Sequence, residues 1–305
     1  GRSAFWTEYE GWDQLWDQRV HVLQGSDPPQ DIEEIIAVAR SIKQMKHDNL
    51  LELIDIIRQD TDTTFIIQEW TATCLPNGSH RLPWERVILI ADQLCNGLDL
   101  LHYNDISHND IKPVHIRMND YGQIKLSGFD ICSPLEVPFE PGSISGTPNY
   151  MPPECWSETY DVNCRTRDIY SLGITLYELI TGRLPFSIKD SLATLVDEIK
   201  NSVLPPIDLE LNVPNDLVTI IDKCTRKDPR DRYQNIDQLQ KALKDVTGSP
   251  MLSFLRGDTV QSTYSDDTHV NWELIRKGGF GTVYKATQTN LNRTVAIKEI
   301  STSDH

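Results

Sequence analysis

The spacing of apolar positions along the chain switches between a period of two and a period near 3.6. Glu8 to Gly11 and Arg19 to Gln24 are short β-prone runs joined by Trp12 to Gln18, which carries turn residues at both ends. They predict two strands. Pro28-Pro29-Gln30-Asp31 then opens a helix, with Asp31 at the cap and Glu33 and Glu34 in the first turn. Ile35, Ala39, Ile42 and Met45 recur at helical spacing as far as His47. Leu50 to Arg58 and Thr64 to Trp70 read as two further strands, split by the polar turn Gln59 to Asp62. After Leu75-Pro76-Asn77-Gly78 the pattern predicts a helix from about Pro83 to Tyr103, with Val87, Ile88, Ala91, Leu94, Leu98 and Leu101 on one face.

Past that helix a short loop, His108 to Ile116, precedes a β-like run from Gln123 to Leu126 and a turn at Gly128-Phe129-Asp130. A long irregular stretch follows. From Asp168 onward the chain reads as mostly helical, through Ser171-Leu172-Gly173, Leu192 to Ile199, Leu217 to Cys224 and Ile236 to Val246. A small β-rich part followed by a larger helical part is an α+β, two-lobed (bilobal) plan. From Thr247 to Thr268 the composition shifts to Gly, Ser, Thr and Asp without an apolar period, as in a linker. Trp272 to Ser301 is β-like again. The expected division is a domain over 1–250, a linker over 251–270, and the start of a second domain over 271–305.

The last segment repeats the first. Sliding the chain on itself by 275 positions puts Phe5 on Phe280, Thr7 on Thr282, Tyr9 on Tyr284, Val20 on Val295 and Val22 on Ile297. Composition excludes some classes of function. The chain has 305 residues, 39% hydrophobic and 24% charged, as in ordinary globular proteins. A formal charge of −16 argues against nucleic acid and anionic membranes as partners. No apolar run approaches the ~20 residues of a spanning helix. Cys74, Cys95, Cys132, Cys155, Cys164 and Cys224 show no C-x-x-C spacing, so a zinc site or disulfide framework is not expected. Scattered thiols fit a reducing compartment, hence a cytoplasmic expectation. The chain begins and ends mid-pattern, as a fragment of a longer polypeptide would.

The loops carry the chemistry. His108-Asn109-Asp110-Ile111-Lys112-Pro113-Val114-His115 and Gly128-Phe129-Asp130 set a lone Asp and a Lys in one turn and a second Asp in the next. A base in one loop and a metal ligand in the next is the layout of a phosphoryl-transfer site. This resembles the catalytic and metal-binding loops of eukaryotic-type (Ser/Thr) protein kinases, H-R-D-x-K-P-x-N and D-F-G. Gly146-Thr147-Pro148-Asn149-Tyr150-Met151-Pro152-Pro153-Glu154 is similar to that family's substrate-facing segment of the Ser/Thr type. Asp168-Ile169-Tyr170-Ser171-Leu172-Gly173 and Asp228-Pro229-Arg230-Asp231-Arg232 resemble two of its structural motifs. The likeness implies that Asp168 braces the catalytic loop and that Glu154 and Arg232 form a buried ion pair.

The second copy, Arg276-Lys277-Gly278-Gly279-Phe280-Gly281-Thr282-Val283-Tyr284 with Val295-Ala296-Ile297-Lys298, resembles the kinase glycine-rich loop and V-A-I-K strand. Glycines there allow close approach to phosphates. The resemblance implies that Gly278 and Gly281 cover ATP, that Val283 and Ala296 hold the adenine, and that Lys298 meets the phosphates. In the first copy Trp6 stands at a phosphate-covering glycine, Glu8 at the position of Val283, His21 at that of Ala296 and Leu23 at the Lys. Counting back from His47, the helix Glu that pairs with that Lys falls on Val38. Glu34 lies one turn earlier but has no Lys to meet. His115 stands at the metal-binding Asn, Gly128 at the metal-binding Asp, and Asp130 is displaced by two residues. Asn109 replaces an Arg that would read a phosphorylated activation segment. A hard Mg²⁺ wants oxygen ligands, which imidazole does not offer.

Three readings follow. In the first, residues 1–250 are a kinase-like domain without catalysis (a pseudokinase), in which Asp110 and Lys112 are loop architecture and the Asp110 carboxylate bonds loop backbone and Thr147. Its use is a regulatory or scaffolding surface, for a protein partner or the adjacent kinase domain. The second domain, when complete, would use ATP and Mg²⁺ on protein substrates. No cofactor is expected for 1–250. In the second reading Asp110 is an active base, with Asp130 and His115 at a metal. In the third, 271–305 replaces strands 1–24 in a permuted fold.

Overall fold

The computed structural model describes residues 6–26, 32–59, 63–71, 73–75, 81–119, 122–135, 146–157, 164–188, 191–247, 269–278, 281–288 and 293–299. The Asp31 cap, Gly1 to Phe5, Gly279, Phe280 and most of the 251–270 linker lie outside them. The chain divides into two compact units, Gly1–Leu252 and Ser253–His305.

In the first unit, β1 (Trp6–Asp13), β2 (Gln18–Ser26), β3 (Leu53–Arg58) and β4 (Thr63–Glu69) form an antiparallel sheet in the order β1-β2-β4-β3. Helix α1 (Ile32–Gln44) packs beside β3 and buries Ile32, Ile35, Ile36, Val38, Ala39 and Ile42. That spacing, three and four apart, is what turns one helical face to the sheet. The chain then passes through Trp70 and Thr71 and β5 (Thr73–Cys74) into the helical lobe. Helix α2 (Trp84–Tyr103) lies within one residue of the range its apolar period predicts.

Short strands β6 (Ile106–Ser107), β7 (Ile116–Met118), β8 (Ile124–Leu126) and β9 (Ser133–Pro134) hold the loops between α2 and α3. Helix α3 (Cys164–Thr181) starts four residues before Asp168, a correction to the sequence reading. Its extra first turn is polar in sequence but buried, so apolar periodicity could not reveal it. Every residue of α3 except Arg165 is buried, which makes it the centre of the lobe. Around it stand α4 (Leu192–Asn201), α5 (Asn215–Cys224) and α6 (Ile236–Thr247). One continuous core runs from Val38 and Leu53 through Leu94 and Leu98 to Leu176, Ile221 and Leu239. Of the cysteines, Cys74 is exposed and the other five are buried, and none is in a disulfide.

The second unit contains β10 (His269–Gly278), β11 (Gly281–Gln288) and β12 (Arg293–Glu299), an antiparallel sheet in that order. Its first strand begins two residues before the expected 271. Each β11–β12 partner pair, from Thr282↔Glu299 to Gln288↔Arg293, equals a β1–β2 pair shifted by 275. Val283↔Lys298 thus corresponds to Glu8↔Leu23. A one-residue slip would turn every side chain to the other face, so a shared register is a demanding form of repeat.

Candidate nucleotide and metal site

The catalytic-type loop leaves β6 and is fixed from beneath by Asp168, which is fully buried. Its Oδ2 accepts from His108 N at 2.9 Å, Ser107 Oγ at 3.2 Å and His102 Nε2 at 2.8 Å, and its Oδ1 from Asn109 N at 2.8 Å. Burial raises the Asp168 carboxyl, but these bonds, His102's first, hold it below its ordinary range. The loop therefore hangs from α3 by charge-assisted bonds. Asn109 sits at φ +66°, and its amide reaches Ile131 O (3.2 Å) and Ser133 Oγ (3.0 Å), joining the two signature loops.

Asp110 is almost wholly enclosed. Thr147 N donates to its Oδ1 at 3.0 Å, and Lys112 Nζ to its Oδ2 at 2.6 Å. The same Nζ donates to Thr147 Oγ1 at 2.6 Å. Burial opposes ionisation of Asp110, and His115, then the Lys112 ammonium and Thr147, override it, keeping the carboxyl below its usual range. Both carboxylate oxygens thus already have donors from the loop and the substrate-facing segment.

At the metal end the ring of His115 fills the space. Its Nδ1 lies 2.8 Å from Asp110 O, an acceptor, so Nδ1 carries the proton and donates. Burial, then the Lys112 charge, lowers its pKa to about 4, leaving a neutral imidazole at pH 7. Gly128 faces it at φ +85°. A Cβ at Gly128 would stand 2.3 Å from His115 Nδ1 and 2.4 Å from its Cγ. No side chain at 128 fits beside this ring. Asp130 is buried in the turn Phe129–Ile131, and burial raises its carboxyl toward the neutral form. Among the described residues no group of three His, Cys, Asp or Glu could hold a metal. Among the described residues, His115 and Gly128 offer no side-chain oxygen to a hard cation such as Mg²⁺.

At the base end Glu8 and His21 meet, with Arg117 of β7, a residue the sequence reading passed over. Glu8 Oε1 is 2.9 Å from His21 Nδ1 and 2.7 Å from Arg117 Nη2. His21 Nε2 lies 3.2 Å from Thr71 O and 3.3 Å from Thr71 N. Nothing in the sequence marked Arg117, a lone cation between Ile116 and Met118. The bond from His21 lowers the Glu8 pKa to about 2, against burial and with help from Arg117. A pKa held below the unfolded value near 4.5 adds stability that is complete above that pH and is lost as pH falls toward 2. Glu8→Gln should therefore flatten the stability–pH curve across this acid range, which denaturant titrations at stepped pH would reveal. An unchanged slope would show that the contact contributes nothing.

Trp6 and Leu23 pack, partly buried, against the core that contains Val38. The positions of the Lys–Glu pair are thus apolar and packed. In the large lobe Arg232 pairs in bidentate fashion with Glu154, Nη1 to Oε1 at 2.6 Å and Nη2 to Oε2 at 2.7 Å. In the second unit Gly278 pairs with Gly281 across the loop and Val283 with Lys298; Ala296 pairs with Lys285.

A bilobal α+β fold with this loop order defines a protein kinase fold. The protein kinase domain model matches residues 22–244, and the chain belongs to that family. A probable serine/threonine-protein kinase of Clostridium perfringens is 32% identical over 217 residues, 68% of this chain and 31% of the relative. The serine/threonine-protein kinase PrkC of Bacillus subtilis is 28% identical over 221 residues, 70% of this chain and 34% of its own length. A putative serine/threonine-protein kinase of Acanthamoeba polyphaga mimivirus is 29% identical over 244 residues, 73% of this chain and 83% of the relative. The chain spans about a third of the length of the bacterial relatives. Among the described residues no helix is long and apolar enough to cross a membrane.

Proposed function

We propose that residues 1–250 are a pseudokinase domain that neither binds Mg-ATP nor transfers phosphate, and that it serves as a regulatory or scaffolding surface. In this reading 251–270 is a linker, and 271–305 begins a Ser/Thr protein kinase domain that uses ATP and Mg²⁺ through Lys298. The partner is then the adjacent domain or another protein. One observation carries the inactive reading: the His115 ring lies where a side chain at Gly128 would have to be. The two positions that hold metal in the family fill each other's space here, and phosphoryl transfer depends on that metal for charge neutralisation. The shared register of β1–β2 and β11–β12 supports the tandem arrangement.

The second reading, an active enzyme, draws on Asp110, which is ionised and sits between Lys112 and Thr147. Thermal unfolding of the chain and of its Lys298→Met variant, with and without Mg-ATP, separates the two. A site filled at 100 times its Kd gains ~2.7 kcal/mol. The expected result for Lys298→Met is no shift in the main transition and no phosphate transferred to a protein substrate. A clear shift in that variant, or transfer abolished by Asp110→Asn, would sink the inactive reading.

A further inference from the structure

We infer that the His21 imidazole is the resident occupant of the base slot in the first unit, held there by Glu8 and Arg117, so that the cleft is closed from within the chain. The inference rests on the reading of 1–250 as a domain without Mg-ATP binding, and it names what takes the place of the base. In family terms the slot lies between positions 8 and 21 and faces the connection from β4 to the helical lobe, at Trp70 and Thr71. His21 is 5% exposed. It pairs with Gln68 across β2–β4 and with Glu10 across β1–β2, so its side chain and that of Glu8 leave the same face of the sheet. The ring lies nearly flat on Trp70, with centroids 4.4 Å apart and planes at 23°.

An adenine base is recognised by edge hydrogen bonds to main-chain N–H and C=O groups and by contacts to its faces. His21 uses both kinds. Its Nε2 addresses the N–H and the C=O of Thr71 at 3.3 and 3.2 Å, and Trp70 covers one face. Nδ1 faces Glu8 Oε1 at 2.9 Å and carries a proton toward it. With the proton on Nδ1, Nε2 accepts from Thr71 N–H, so each ring nitrogen has a partner.

Arg117 supplies the link between lobes. It rises from β7, next to the catalytic-type loop, and its Nη2 reaches the same Glu8 oxygen at 2.7 Å. Thus Arg117, Glu8, His21 and Thr71 form one chain of polar contacts from the large lobe to the sheet and on to the connection. Removing one member breaks that chain of contacts.

The test uses the full chain carrying Ala296→Trp, at the position of the second unit that corresponds to His21. Adenosine is the probe, because it needs neither metal nor phosphate contacts. Titration by NMR saturation transfer should show no binding to that chain. Adding Glu8→Val, His21→Ala and Arg117→Leu should improve adenosine affinity by at least about tenfold. Equal affinity in both proteins, or no gain in a variant with native circular dichroism, would overturn the inference. Hydrogen exchange on His21→Ala alone gives a second measurement. The Thr71 amide should exchange about tenfold faster than in the parent chain, with β4 unchanged. An unaltered Thr71 rate would also overturn it. Failure of the proposed function would be read elsewhere, as Mg-ATP-dependent phosphate transfer that Asp110→Asn abolishes.

Discussion

Glu154→Ala lowers the stability of the first unit by about 3–5 kcal/mol in urea denaturation, the range for breaking a buried ion pair from one side. The size follows from what Arg232 leaves behind. Its side chain is completely buried, and all five of its N–H bonds are used. Two go to the Glu154 carboxylate. The other three go to Arg226 O at 2.7 Å, Thr166 O at 3.1 Å and Lys227 O at 3.1 Å. The guanidinium also lies over the ring of Tyr170, 4.9 Å from its centroid. With Glu154 gone, a fixed cation remains in the interior without an anion. It cannot lose its proton and it has no path to water. Arg232→Met removes the cation but orphans three carbonyls, so it should cost a comparable amount. Glu154→Leu combined with Arg232→Met should cost less than the two single changes summed, because the ion-pair part is counted once. A loss below about 1 kcal/mol for Glu154→Ala would show that the pair behaves like an exposed one.

The fold was legible in the sequence to the extent that each element has its own apolar period. Helix α2 is an example. Val87, Ile88, Ala91, Leu94, Leu98 and Leu101 outline one face, and the helix ends at Tyr103 as the pattern predicts. The β1–β2 hairpin was legible twice, because the same register recurs 275 residues later. The start of α3 was not legible: Arg165, Thr166 and Arg167 are polar, although Thr166 and Arg167 are buried within the helix. At the site, the sequence could show which residue types had changed, but not how the new ones meet. His115 and Gly128 are separate departures in sequence. Their contact is a fact of the turn at φ +85°. Glu8 and His21 could be placed near one slot by likeness to the family. Arg117 had no motif to flag it, since a single cation in a strand is ordinarily solvated, and its partner lies 109 residues away.

The contact between His115 and Gly128 sets the second large expected effect. Gly128→Asp alone should destabilise the first unit by several kcal/mol, for two reasons. A non-glycine residue in the left-handed region costs roughly 1–2 kcal/mol. Its Cβ would also be driven into the imidazole, 2.3 Å from Nδ1. Nδ1 is tied to Asp110 O, and the ring lies beside His108 with centroids 6.2 Å apart. A ring that moves must give up that bond and loosen the loop carrying Asp110. Pairing Gly128→Asp with His115→Asn should recover the steric part and leave only the backbone part, so the two changes should couple by about 1–3 kcal/mol in a double-mutant cycle. The double variant places an amide and a carboxylate where the family places its metal ligands. Because Leu23 and Val38 remain apolar and His21 remains in the slot, it should gain stability over Gly128→Asp without gaining phosphate transfer. Additive energies would mean that His115 and residue 128 do not compete for space. Coupled energies accompanied by Mg-ATP-dependent transfer would mean that the metal pair alone separates this domain from catalysis, and that the changes at Leu23, Val38 and His21 are incidental to its loss.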